Sequence, residues 1–277
     1  KDYGNCIICK KFIKIRQVDK NMKKNSIQKI FDLSNKTVIL TGSAGRLGTQ
    51  FANILSEAGA NLVLIDIDEK KNKQLEKSIQ KKFHTKTLTF NVDISNKSSL
   101  QNVKKDILKK FGKIDILINN AFFNPSINQT SKTINFETFP LDLWNKVIGV
   151  NLTGVFLCCQ EFGTVMAKQK SGSIVNISSI YGLVGADQRI YGKSKLNSQV
   201  SYSATKGSIV NITRYLASYW HRKNVRVNTL TLGGVVDKSY MKKSFIKNYS
   251  DKTILGRMAE KDDYNGSLLF LASDASS

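Results

Sequence analysis

At 277 residues and 41% hydrophobic, the chain is long enough to bury one large core, and a single α/β domain of this length is ordinary. It contains no run of about 18 apolar residues and no charged-then-apolar leader, so the expectation is a cytoplasmic protein with neither membrane span nor secretion signal. A net charge of +22 invites a nucleic-acid reading, but the lysines accompany Asn and Ile along the whole chain with only 2 Pro. That is the signature of AT-rich coding, and no specific nucleic-acid partner is expected.

Residues 1–30 read as an N-terminal extension and residues 31–277 as the folded domain. The first 21 residues mix charge with short apolar pieces and show no period, as a poorly ordered arm or an extended reading frame would. Cys6 and Cys9 have half-site spacing, but no second Cys or His pair follows, and Cys158 and Cys159 lie in an apolar segment suited to the core. Neither a metal site nor a disulfide framework is expected.

From residue 37 onward, apolar strands alternate with helical stretches. Strands read at residues 38–40, 61–65, 86–90, 114–118, 173–177 and 225–230. This alternation implies βαβ units and a doubly wound parallel sheet covered by helices on both faces, a three-layer α/β/α arrangement in a single domain. Between the first strand and the first helix stands Thr41-Gly42-Ser43-Ala44-Gly45-Arg46-Leu47-Gly48. Glycines at such a turn let the backbone approach a pyrophosphate at the helix N-terminus, where free N–H groups and the helix dipole favour negative charge. Asp66 ends the second strand about 20 residues on, where a carboxylate accepts from adenosine ribose hydroxyls. The same carboxylate repels a 2′-phosphate, which favours NAD over NADP, although Arg46 argues the other way by its ability to meet a phosphate.

Further ordered motifs are Asn91-Val92-Asp93-Ile94, Asn119-Asn120-Ala121, Val150-Asn151-Leu152, Val175-Asn176-Ile177-Ser178-Ser179, Tyr202-Ser203-Ala204-Thr205-Lys206, Val225-Arg226-Val227-Asn228 and Leu255-Gly256-Arg257-Met258. With the Gly-rich turn they resemble the short-chain dehydrogenase/reductase family, in its compact single-domain branch with a Rossmann fold, from about Phe31 to the C-terminus. The resemblance implies a nicotinamide-dependent oxidoreductase. It assigns Tyr202 as acid/base, Lys206 as its electrostatic partner and a holder of the nicotinamide ribose, Ser179 as the substrate-oxygen donor, and Asn151 as the holder of a relay water. It also implies cofactor contacts at Gly42, Gly45, Arg46, Leu47, Gly48, Asp66, Asp93 (adenine), Ile94, Asn119 (ribose), Ala121, Tyr202, Lys206, Gly233 and Val235.

The chemistry asks for these residue types. A free phenol titrates near pH 10, and a nearby ammonium stabilises its phenolate. Tyr and Lys four apart share a helix face. A serine hydroxyl then stabilises charge developing on the substrate oxygen. Tyr191 and Lys195 form a rival pair with the same spacing, at the interval from the serine strand that the family usually shows. Tyr202 is preferred because Ile209, Val210, Ile212, Leu216 and Trp220 follow it as an apolar helical stripe, whereas residues 182–201 read as an enlarged loop. Arg189, Lys193 and Lys195 make that loop basic and suited to an anionic substrate group.

Three features depart from the family pattern. The Gly42-x-x-Gly45-x-x-Gly48 spacing is that of the extended branch of nucleotide-sugar epimerases and dehydratases, which is the alternative activity. Phe122 replaces a glycine near the cofactor, and Leu232 replaces a proline before Gly233. Residues 178–182, 188–191 and 121–125 are similar to a branch linked to bacterial surface-glycan and flagellin-glycan synthesis, which suggests a small alcohol or ketone substrate of sugar or polyol type. A non-catalytic nucleotide-binding protein on the same fold is a further alternative. The family usually pairs through its long helices, implying a homodimer or homotetramer, and it usually continues into a last strand beyond residue 277, so the domain is expected to lack that strand.

Overall fold

The computed structural model describes residues 26–125, 134–194, 196–239 and 241–277. Cys6, Cys9 and Lys195 of the rival pair lie outside them, as does most of the N-terminal extension. The extension's last residues form a short helix α1 (Ser26–Ile30) with no buried side chain.

The strands are β1 (Thr37–Thr41), β2 (Asn61–Asp66), β3 (Thr87–Asn91), β4 (Ile116–Asn119), β5 (Gly172–Ser179) and β6 (Val225–Leu232). They form one sheet in the order β3-β2-β1-β4-β5-β6, and every pairing is parallel. This is the Rossmann order, with the reversal between β1 and β4, where ligands of open α/β sheets bind at the carboxyl ends of the strands. β1 is buried at all positions, as a central parallel strand covered on both faces must be. Hydrophobic periodicity placed all six strands, with ends displaced by one or two residues. β5 and β6 run further than expected because Ser178, Ser179 and Leu232 continue the ladder.

The helices are α2 (Arg46–Glu57), α3 (Glu69–Phe83), α4 (Lys97–Phe111), α5 (Leu141–Gln169), α6 (Val200–Tyr219), α7 (Lys243–Ser250) and α8 (Asn265–Ala272). Asp68 and Asn96 cap α3 and α4 by accepting from Lys71 N and Ser99 N, and left-handed residues His84 and Gly112 end them, as capping chemistry requires. Two cores result, one on each face of the sheet. One joins Val63, Ile107, Leu117, Phe162 and Trp220 on the α4, α5 and α6 side. The other joins Leu40, Phe51, Leu64, Ile79 and Leu268 on the α2, α3 and α8 side.

α5 is long and apolar enough, by length and composition, to cross a membrane, but 56% of its most apolar window is buried. Val155, Cys158 and Phe162 pack into the sheet-side core, so α5 is a core helix. It is interrupted by wide turns at Gly149–Gly154 and Cys159–Gly163. Phe156 faces outward at 45% exposure, while its neighbours Val155 and Leu157 are buried.

Candidate active site

β1 delivers the Gly-rich turn to the carboxyl edge of the sheet, and the turn is held from three directions. The Thr41 hydroxyl accepts from the backbone N–H groups of Asn120 and Ala121, each at 3.1 Å, and the Asn120 amide donates to the Thr41 and Gly42 carbonyls at 3.2 and 3.0 Å. Below, Ser43 Oγ bonds Asn72 Oδ1 at 2.7 Å. At the side, Asp66 Oδ2 accepts from Ala44 N at 2.8 Å, while its Oδ1 accepts from Asp68 N at 2.9 Å. The carboxylate at the end of β2 thus lies against the turn.

Two glycines are structural necessities here. Gly42 has φ +64°, and an added Cβ would lie 2.6 Å from Ala121 Cα; at Gly48 it would lie 2.0 Å from the Gly42 carbonyl oxygen. Both obstacles are backbone, so Gly48→Ala must displace the turn. It is expected to lower stability by about 1–3 kcal/mol and to weaken dinucleotide binding, both checked by thermal unfolding with and without NADH. Gly45 makes no side-chain cap on α2, and the first helical turn carries no acidic residue. The N–H groups at Arg46, Leu47 and Gly48 therefore begin a helix with nothing anionic of its own before them, which suits a phosphate. Tight glycines, an open helix start and a carboxylate at the end of β2 fit a dinucleotide.

Of the other cofactor positions, Asp93 is exposed just beyond β3 and uses Oδ1 to accept from Ser95 N and Oγ at 2.9 and 2.7 Å. Ile94 is 3% exposed, in the core. Ala121 follows β4 beside Gly42, and Gly233 and Val235 follow β6. Asn119 ends β4. Its side chain, 2% exposed, turns inward to donate to Asn176 Oδ1 at 2.8 Å and Cys159 Sγ at 3.3 Å. The preceding strand alternates into the core at this position, so the Asn119 amide braces β4 against β5 and α5, and Asn120 is the residue that grips the turn.

The candidate acid/base lies on the first turns of α6. Ser179 ends β5, 6% exposed; its hydroxyl accepts from Tyr181 N at 3.2 Å and faces the Tyr202 phenol. Burial pushes that phenol above its ordinary range, the nearby Ser179 hydroxyl opposes the rise, and Tyr249 adds to it. The Tyr202 ring is pinned edge-on by Phe122 at 5.3 Å and Tyr181 at 6.5 Å between centroids. One turn on, Lys206 is 9% exposed; its ammonium donates to the Ile177 carbonyl at 2.8 Å and stands 4.9 Å from the Phe122 ring centroid and 6.0 Å from that of Tyr202. Burial lowers its pKa from 10.5 to about 8. Ser178, the adjacent serine, instead bonds the Lys206 carbonyl at 2.8 Å and anchors α6 to β5.

Asn151, in the first wide turn of α5, uses both ends of its amide on one residue: Oδ1 accepts from Phe123 N at 2.8 Å and Nδ2 donates to Phe123 O at 3.0 Å. It fixes the chain that carries Phe122 against Tyr202.

Tyr191 is placed elsewhere. Its ring lies 5.4 Å from Phe245 of α7, and burial raises its phenol's pKa, with the nearby Ser198 opposing the rise. The enlarged loop folds into short 3-10 turns at Ile180–Gly182 and Gln188–Ser194 and packs Ile190 with Tyr249, Val236 and Met258. Arg189 is spent on Asp187, with bonds of 2.8 and 2.9 Å, whereas Lys193 is exposed. Tyr249 is a residue that motif reading missed: its hydroxyl accepts from Gly234 N at 2.6 Å, and nothing local in the sequence marks it.

Fold and site together define an oxidoreductase of the nucleotide-binding α/β class. The family model described as enoyl-(acyl carrier protein) reductase matches residues 42–277, and the chain belongs to the short-chain dehydrogenase/reductase family. It is 32% identical to an NAD-dependent glycerol dehydrogenase of Listeria innocua, over 90% of this chain and 91% of the relative. It is 29% identical to post-translational flagellin modification protein A of Campylobacter coli, over 88% and 93%. The solved NADPH-dependent 3-quinuclidinone reductase of Rhodotorula rubra superposes with a TM-score of 0.79 at 25% identity, covering 95% of this chain and 93% of that one.

Proposed function

We propose that the protein transfers hydride between NAD and a secondary alcohol or ketone of sugar or polyol type, with Tyr202 moving the accompanying proton. The observation that carries this reading is the convergence of Ser179, at the end of β5, the Tyr202 phenol it faces and the buried Lys206 ammonium, 6.0 Å from the Tyr202 ring centroid. A nicotinamide dinucleotide supplies the hydride; Gly42, Gly45, Leu47 and Gly48 would admit its pyrophosphate, Asp66 its adenosine ribose, and Lys206 its nicotinamide ribose. In the reducing direction Tyr202, kept protonated by burial, gives its proton to the carbonyl oxygen, and Ser179 donates to that same oxygen as charge develops. In the oxidising direction Lys206 stabilises the phenolate that takes the alcohol proton.

NADH oxidation against a panel of sugar ketones, dihydroxyacetone and 2-keto sugars, followed by the loss of NADH absorbance, tests the reading. Dinucleotide binding with no turnover of any carbonyl compound would favour a non-catalytic nucleotide-binding protein instead. The glycerol dehydrogenase among the relatives puts small polyols first in that panel. A homodimer or homotetramer formed across the outward face of α5 and α6, where Phe156, Tyr215 and Tyr219 are 45%, 63% and 65% exposed, accompanies this reading and is checked by mass in solution.

The preference for NAD rests on Asp66. Asp66→Asn keeps an acceptor for Ala44 N and removes the charge, so the ratio of NADPH to NADH affinity should rise by about 10- to 100-fold, the scale of a near-surface charge pair. An unchanged ratio would place the discrimination elsewhere.

A further inference from the structure

The Arg46 guanidinium leaves the turn that carries it. Arg46 is the first residue of α2, where the pyrophosphate would lie, yet its side chain crosses to the segment that follows β6. There it donates to the Val235 carbonyl at 3.5 Å and to the Val236 carbonyl, and it pairs with Asp237 Oδ2 at 3.3 Å, with the two side chains 35% and 21% exposed. The far side of that segment is firmly held: Val236 N bonds Ala259 O at 2.8 Å, Ala259 N bonds Gly234 O at 2.9 Å, and Gly234 N bonds the Tyr249 hydroxyl at 2.6 Å. The two oxygens of Asp237 divide their work. Oδ1 caps its own turn by accepting from Ser239 N at 3.0 Å, so the carboxylate keeps its place whether or not Oδ2 has a partner.

We infer that Asp237 is an internal competitor for Arg46, standing in for the dinucleotide pyrophosphate and setting how tightly the nucleotide is held. This rests on the dinucleotide reading above. A guanidinium is a planar fork of five donors suited to phosphate oxygens, and a pyrophosphate at the start of α2 adds the helix dipole to its own charge. A part-exposed ion pair is a weak rival, so the guanidinium exchanges partners: it leaves Asp237 and the two carbonyls when the nucleotide arrives and returns when it departs. Exchange lowers affinity by the strength of the broken pair and speeds nucleotide release. A glycine at position 46 would have no side chain with which to bridge the two segments.

The test is direct NADH binding, followed by fluorescence, to the wild type, Arg46→Gln, Asp237→Asn and the double variant. Arg46→Gln should weaken binding about tenfold and Asp237→Asn should tighten it by about three- to tenfold, opposite signs from the two ends of one ion pair. In the Arg46→Gln background the gain from Asp237→Asn should largely vanish. Equal gains in both backgrounds would mean simple removal of a repelling charge, and weaker binding by Asp237→Asn would mean a structural brace; either result overturns the exchange. Wild-type protein that binds neither NADH nor NADPH overturns the dinucleotide reading and the exchange with it, whereas binding without the predicted signs removes the exchange alone.

Discussion

Tyr202→Phe is expected to lower kcat by about 10²- to 10⁴-fold, the range of a positioned general acid, with NADH affinity changed little. The phenylalanine ring keeps the edge-on contacts with Phe122 and Tyr181, so the fold should persist, and the loss comes from the missing proton donor. The matching control is Tyr191→Phe. Its ring packs against Phe245 of α7, away from Ser179, so turnover should stay within about fivefold, a difference below 1 kcal/mol in barrier. Steady-state rates of the two variants side by side decide the assignment. Loss of turnover in Tyr191→Phe with Tyr202→Phe intact would overturn it.

That choice between two identical Tyr-x-x-x-Lys spacings shows what was legible in the sequence. Spacing alone does not choose; the apolar stripe after Tyr202 predicts a long packing helix there, and α6 forms with Ile209 and Val210 buried. Strand periodicity was equally informative, since a parallel strand covered on both faces must be apolar nearly throughout. What stayed hidden is set by side-chain direction. Asn119 and Asn120 are neighbours in one motif, and pleating sends one into the core and the other onto the Gly-rich turn. The reach of Arg46 to Asp237 and of Tyr249 to Gly234 depends on how the chain after β6 folds back, which no local pattern encodes. Phe122 reads as added bulk near a cofactor; only the fold shows it wedged against both Tyr202 and Lys206.

Lys206→Met is expected to cost turnover by at least about 10²-fold and yet to raise Tm by a few degrees at pH 7. Among the described residues the buried ammonium has no carboxylate partner, and that burial lowers its pKa from 10.5 to about 8, a penalty on the order of 3 kcal/mol for the charged folded form. The bond to Ile177 O and the Phe122 ring contact return part of it, so removal of the charge leaves a net gain of about 1–2 kcal/mol, or a few degrees for a chain of this size. The pH dependence fixes the cause. Between pH 8 and 10.5 the unfolded chain keeps a proton on Lys206 that the folded chain has released, so wild-type stability gains from this group as pH rises through that window. The advantage of Lys206→Met should therefore be largest below pH 8 and shrink towards pH 10.5. Turnover of the wild type should fall over the start of the same window, as the folded enzyme loses the charge that stabilises the Tyr202 phenolate. Thermal unfolding of both proteins from pH 7 to pH 10 measures the first effect. A Tm advantage that does not vary with pH would assign the gain to packing by the methionine, and a lowered Tm would show that the ammonium is a net structural asset instead of a cost borne for catalysis.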